Sequence, residues 1–119
     1  MSELMRPPGQ TTIAPDVLVT IAKLTTLSVE GVARMAAVSP SGVNQWFKRG
    51  LSEGVDISVE HNIVSADLHV ILERNVNVRD VCHTIQAHVA RAISEMVGME
   101  VGLINIHVED IDFTVESTA

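Results

Sequence analysis

The chain has 119 residues, 46% of them hydrophobic, enough for one domain with a core of its own and too apolar for a disordered chain. Its net charge of −7, with no Lys or Arg after Arg91, argues against duplex nucleic acid, whose binding draws on phosphate neutralisation. The lone Cys82 excludes an intramolecular disulfide framework and fits a reducing compartment.

Residues 1–11 are polar, with Pro7, Pro8 and Gly9, and read as a flexible arm ahead of a single domain over 12–113; residues 114–119 read as a tail. The start of the chain has no apolar signal core, and no apolar run reaches spanning length, so neither secretion nor a transmembrane segment is expected. The first helix is predicted from Pro15, which suits a position whose N–H would be unpaired, to about Leu27; Asp16 complements the dipole there, while Ala14 is a poor cap. Val17, Leu18, Ile21, Ala22, Leu24 and Thr25 give it an apolar face. Residues 31–36 are ambiguous: Val32 and Arg34 alternate as in a strand, whereas Ala33, Met35 and Ala36 suit a helix equally well. Between 37 and 54, Val43, Trp46 and Phe47 fall at helical spacing and predict a short helix at 43–49.

The chain then reads as strand, tight turn, long strand, long helix, strand. Val55, Ile57 and Val59 alternate with polar residues, His61-Asn62 suits a two-residue hairpin turn, and Val64, Ala66, Leu68, Val70 and Leu72 alternate along a second strand to Glu73. Ile71 is the apolar exception on its polar side. Asn77 is placed to cap a helix over 78–97, with Asp80 at the capping-box position and Gly98 as its stop. Val78, Val81, Cys82, Ile85, Val89, Ala92, Ile93 and Met96 form its apolar stripe. About 20 residues of helix span roughly 30 Å, enough to cross the sheet. In the last strand Ile104, Ile106 and Val108 oppose Asn105, His107 and Glu109. The pattern predicts an α+β fold: a small three- to four-stranded sheet with two long helices packed on one face.

Candidate chemistry is thin. His83 and His88 are five apart on a helix, too far around it to grip one ion together. His69 and His107 share the wet sheet face with Asp67 if their strands are neighbours, which would allow a two-histidine, one-carboxylate metal or small-ligand site; surface histidines are the plainer reading. Cys82 sits on the apolar stripe and reads as packing, with His83 turned away from it. No Gly-rich phosphate loop occurs. The residues suggest no enzyme, no catalytic group, no cofactor and no resident metal. Residues 32–50 resemble a helix-turn-helix unit in which Gln45, Lys48 and Arg49 would face the DNA groove. Against that reading stand Ala37 where glycine is usual and the acidity of the rest of the chain. Trp46, Phe47, Lys48 and Arg49 read either as a lid on the core or as a partner or membrane-surface contact.

The order of several segments resembles a family. These are Ile13-Ala14-Pro15-Asp16-Val17-Leu18, Val29-Glu30-Gly31-Val32-Ala33-Arg34-Met35, Gly54-Val55-Asp56-Ile57-Ser58-Val59, Asn77-Val78 with Ile85-Gln86, and Gly98-Met99-Glu100-Val101 leading to Ile104-Asn105-Ile106-His107-Val108. Together they resemble the alkaline-shock proteins, small bacterial proteins of general and cell-envelope stress. The resemblance implies a compact α+β domain without known catalytic residues, cytoplasmic and acting by association: with itself, with another protein, or near the membrane through a separate anchor protein. Some relatives are connected with regulation of fatty-acid synthesis enzymes. The resemblance also favours a strand at 32–35. Ala14 stands where the family usually has a capping serine, and the histidines are not a family feature.

Overall fold

The structure is a computed structural model, and it describes residues 8–37 and 54–113. Its elements are α1 (Pro15–Leu27), β1 (Val32–Met35), β2 (Val55–Glu60), β3 (Ile63–Glu73), α2 (Val78–Ala92), a π-helical turn (Ile93–Val97) and β4 (Glu100–Asp112).

β3 organises the sheet. Its strict alternation buries Val64, Ala66, Leu68, Val70 and Leu72 on one face. Along one edge it carries two strands end to end: β2 pairs antiparallel from Ile63 to Leu68, and β1 pairs antiparallel from Val70 to Leu72. Along the other edge β4 runs parallel to it for its whole length. The sheet is therefore mixed, and among the described residues β3 is the strand to which the other three pair. The hairpin from β2 to β3 turns on His61 and Asn62, both at positive φ (52° and 67°), the double left-handed conformation of a type I′ turn.

Both helices cover the same sheet face. Leu18, Val19 and Ala22 of α1, Val81, Ile85 and Val89 of α2, and Ile93 join the inward row of β3 in one aliphatic core. Thr26 is fully buried because its hydroxyl donates to the Ala22 carbonyl at 2.7 Å. The α2 start is as the sequence predicts: the Asn77 side chain accepts from the Asp80 amide at 3.0 Å, and Gly98 ends the helical segment at φ 77°. Ala14 contributes no side-chain cap to α1.

Several expectations are corrected. Val17 and Leu24, which belong to the apolar face predicted for α1, are exposed, while Val19 and Thr26 are buried. The helix is apolar on both sides, so periodicity alone does not fix its rotation. Met96 leaves the α2 stripe because the wider π turn carries the inward row from Val89 through Ile93 toward Val97. Val78 is exposed, and Cys82 lies half-buried at the margin of the core. Residues 32–35 form β1, not a helix, so the first half of the helix-turn-helix reading is overturned. Backbone pairing with residues 70–72 satisfies the amides of that short apolar stretch. The predicted helix at 43–49 lies outside the described residues.

β4 is longer than its alternation suggests, 13 residues against 11 in β3. The difference is taken up by two irregularities of register, opposite Ser65 and between Val108 and Asp110. Gly102 lies at the first, where a Cβ would come within 2.7 Å of the Ser65 hydroxyl.

Candidate interaction face

The sheet face away from the helices presents Arg34 from β1, Asp56 from β2, Asp67, His69 and Glu73 from β3, and Asn105, His107 and Glu109 from β4. The parallel register sets His69 directly beside His107. Their rings stack at 4.6 Å with planes 16° apart. Each imidazole is held by a carboxylate from the opposite strand: His69 Nδ1 lies 2.7 Å from Glu109 Oε2, and His107 Nε2 lies 2.9 Å from Asp67 Oδ1. The carboxamide of Asn105 donates to the same Asp67 oxygen at 3.2 Å. Glu109 follows His107 by two residues and so keeps its side of the strand, while the extra residue after Val108 sets Asp110 opposite Ile71.

The hydrogen bond from His107 holds the Asp67 carboxyl below its ordinary range, against the opposing effect of burial; the Asn105 bond and the two nearby imidazoles act in the same direction as His107. Asp56 stands opposite Asp67 across the β2–β3 ladder and adds negative charge to the face. Farther along, the Arg34 guanidinium reaches Asp112 at 3.1 Å and spans β3 at the level of Ile71, which sits between Arg34 and Asp110 in register.

These contacts join side chains on an open surface, and their mutual pairing is what the arrangement can offer chemically: a rigid, acidic, hydrogen-bonding plane. The sequence-predicted grouping of His69, His107 and Asp67 is thus brought together, with both imidazoles turned to carboxylates. Among the described residues no group of three or more His, Cys, Asp or Glu is disposed to hold a metal ion. His83 and His88 are both exposed on α2 and do not converge. Burial pushes the Cys82 thiol above its usual range, which keeps it protonated and a poor nucleophile. Trp46, Phe47, Lys48 and Arg49 lie outside the described residues.

The edge of β4 completes the face. Among the described residues β4 pairs with β3 alone, and no other described strand lies along its second edge. Beside it runs a shallow groove floored by Ile106 and walled by Asn77, Arg79, Cys82, His83 and Gln86 of the α2 segment. Gln86 reaches across to donate to the Ile104 carbonyl at 2.9 Å, fastening helix to strand. Sequence reasoning singled out Gln86 only as part of an Ile-Gln pair; it missed Glu109 as the partner of His69 and Arg34 as the partner of Asp112, contacts 40 and 78 residues apart that no local pattern announces.

A family model described by a cell envelope-related function matches residues 4–113. The chain belongs to the alkaline-shock protein family. Among members of known sequence, it is 34% identical over 104 residues to the uncharacterized protein Spy1535 of Streptococcus pyogenes serotype M6, spanning 87% of this chain and 79% of that protein. It is 27% identical over 106 residues to the uncharacterized protein YqhY of Bacillus subtilis, spanning 88% of this chain and 78% of that one. No solved structure matches the chain. As an alkaline-shock protein it carries the family's envelope-related theme, and among its described residues no helix is long and apolar enough to cross a membrane.

Proposed function

We propose that this alkaline-shock family protein is a non-enzymatic component of a bacterial envelope or general stress response that works by docking to other proteins, in the cytoplasm or at the membrane through an anchored partner. The observation that carries the reading is the edge of β4 that no other described strand pairs, beside the acidic sheet face. An unpaired strand edge supplies backbone donors and acceptors to a partner, and the flanking side chains supply selectivity. Acidic groups at Asp56, Asp67, Glu73 and Glu109 suit a partner surface carrying Lys or Arg. The imidazole–carboxylate pairs hold Asp67 and Glu109 in place, lowering the side-chain entropy lost on docking.

Affinity capture of the tagged full chain from its own cells, after mild cross-linking, tests the reading. The expected result is a reproducible partner whose yield falls when Leu103→Lys and Glu109→Lys are introduced on the β4 edge and the acidic face beside it. Absence of any enriched protein, together with a strictly monomeric bait, would overturn it. Trp46, Phe47, Lys48 and Arg49 are a second candidate contact, tested in the same capture by their alanine variants.

A further inference from the structure

Backbone direction along β4 shows which residues face away from β3. The Leu103 amide donates to the Ser65 hydroxyl of β3 at 3.3 Å, whereas the Ile104 carbonyl, one residue later, accepts from Gln86 on the groove side at 2.9 Å. Backbone groups two residues apart in a strand point the same way, so those of Ile106 and Val108 line the groove side with Ile104. Among the described residues no strand pairs them there. Their side chains tell the same story. Leu68 and Val70 of β3 are fully buried, while Ile106 and Val108, beside them in register, are only half-buried. An added strand would take up these backbone groups and cover the half-exposed row, starting where the Gln86 contact ends.

The two sides of this edge differ in chemistry, and the difference selects the occupant. On the sheet-face side stand Glu109 and Asp110, both exposed, and β4 contains no Lys or Arg. On the helix side the groove is lined by Val76, Val78, Cys82 and Ile106, with Arg79 and His83 in its walls. A basic side chain is attracted on the first side and repelled by Arg79 on the second, where an apolar one finds apolar neighbours. Successive side chains of an extended segment point to opposite faces. The segment that satisfies both sides therefore alternates basic and apolar residues. A second copy of β4 does not fit: it repeats Glu100, Glu109, Asp110 and Asp112, and each chain carries −7. Two β4 edges paired about Ile106 would also each need the Ile104 carbonyl that Gln86 holds. The same acids repel nucleic acid and anionic lipid.

We infer that the β4 edge at Ile106 and Val108 binds one extended segment of a partner protein as an added strand, with basic side chains over Glu109 and Asp110 and the alternating apolar side chains in the groove beside α2. The inference rests on the proposed docking function and narrows the partner from any basic surface to a strand of this pattern. A partner that docks by a helix or a folded surface would satisfy that function and not this inference.

A capped, fluorescein-labelled peptide of alternating Lys and Val, about ten residues long, tests it by fluorescence anisotropy with the full chain. The expected result is saturable binding, weakened about tenfold or more when the same residues are collected into a Lys block and a Val block, and likewise by Glu109→Lys or Val78→Lys in the protein. Leu24→Glu, on the helical layer, should leave it unchanged. Hydrogen exchange followed by NMR should show the Ile106 and Val108 amides slowed about tenfold by the peptide, with α1 unaffected. Methylating every second backbone nitrogen of the peptide should abolish binding in one of the two possible sets and spare it in the other, because only one set faces β4. Thermal unfolding checks each variant, and Asp110→Lys gives a second measurement should Glu109→Lys lose structure. No binding of the alternating peptide, equal binding of the block peptide, or unchanged exchange at Ile106 and Val108 overturns the inference. A partner still captured from cells would then leave the proposed function standing without it.

Discussion

Gly54 is the position where a single methyl group should do most harm. Its φ is 85°, and a Cβ there would stand 2.5 Å from the Ala36 carbonyl oxygen and 2.7 Å from the His69 carbonyl oxygen. Both neighbours are backbone and cannot rotate away. Both also sit in the joint of the sheet, where Ala36 donates to the His69 carbonyl and His69 donates to the Gly54 carbonyl, each at 2.8 Å. In Gly54→Ala the left-handed conformation itself costs roughly 1–2 kcal/mol. Relieving the overlap means lengthening at least one of those buried bonds, at about 1–3 kcal/mol. The sum, about 2–5 kcal/mol, is a large part of the 5–15 kcal/mol typical of a domain. At a few degrees per kcal/mol the midpoint should fall by about 10–20 °C. Gly98→Ala is the control: φ is similar at 77°, but nothing lies within 4 Å of the added carbon, so only the conformational cost of about 1 kcal/mol remains. Thermal and urea unfolding followed by circular dichroism measure both. Equal losses in the two variants would refute the steric argument, because they would leave backbone conformation as the whole effect.

Asn77→Ala removes the side-chain cap of α2 and should cost about 1 kcal/mol in urea unfolding; an unchanged midpoint would show that the cap contributes nothing. Because the folded protein lowers the Asp67 pKa, this carboxylate stabilises the fold fully above its ordinary value of 3.8 and loses that contribution as pH falls below it. The stability gap between wild type and Asp67→Asn should therefore close through that acid window, and a gap constant with pH would contradict the His107–Asp67 bond. Cys82, half-buried with a raised pKa, should react with iodoacetamide more slowly than free cysteine at neutral pH, and faster once urea unfolds the chain. Equal rates in the folded and unfolded chain, measured by mass spectrometry, would place the thiol in solvent.

Where a local signal existed, the fold was legible. Asn77, Asp80, the stripe from Val81 to Ile93 and Gly98 bound α2 and its terminal turn because capping and periodicity are properties of neighbouring residues. His61-Asn62 announced the hairpin for the same reason. α1 could be located but not oriented, since Val17 and Leu24 are as apolar as Leu18 and Ala22 and only packing against the sheet chooses between them. β4 misled at both ends, where an extra residue breaks the alternation that signals a strand. The candidate face was half visible. His69, His107 and Asp67 could be grouped only on condition that β3 and β4 were neighbours; Glu109 and Arg34 depend on register, a property of pairs of strands and not of either sequence.

The joint at His69 has a consequence for how this chain can vary. Ala36, shortly before residues 38–53, and Gly54, directly after them, are both hydrogen-bonded to His69 of β3. Departure and re-entry thus share one anchor, so whatever lies between them is closed at its base by the sheet itself. Lengthening such an excursion adds only a slowly growing entropic cost, about 0.6 kcal/mol for each doubling. Changing the length of residues 38–53, which hold the chain's one tryptophan, should therefore leave the register of β1 and β2 on β3 unchanged.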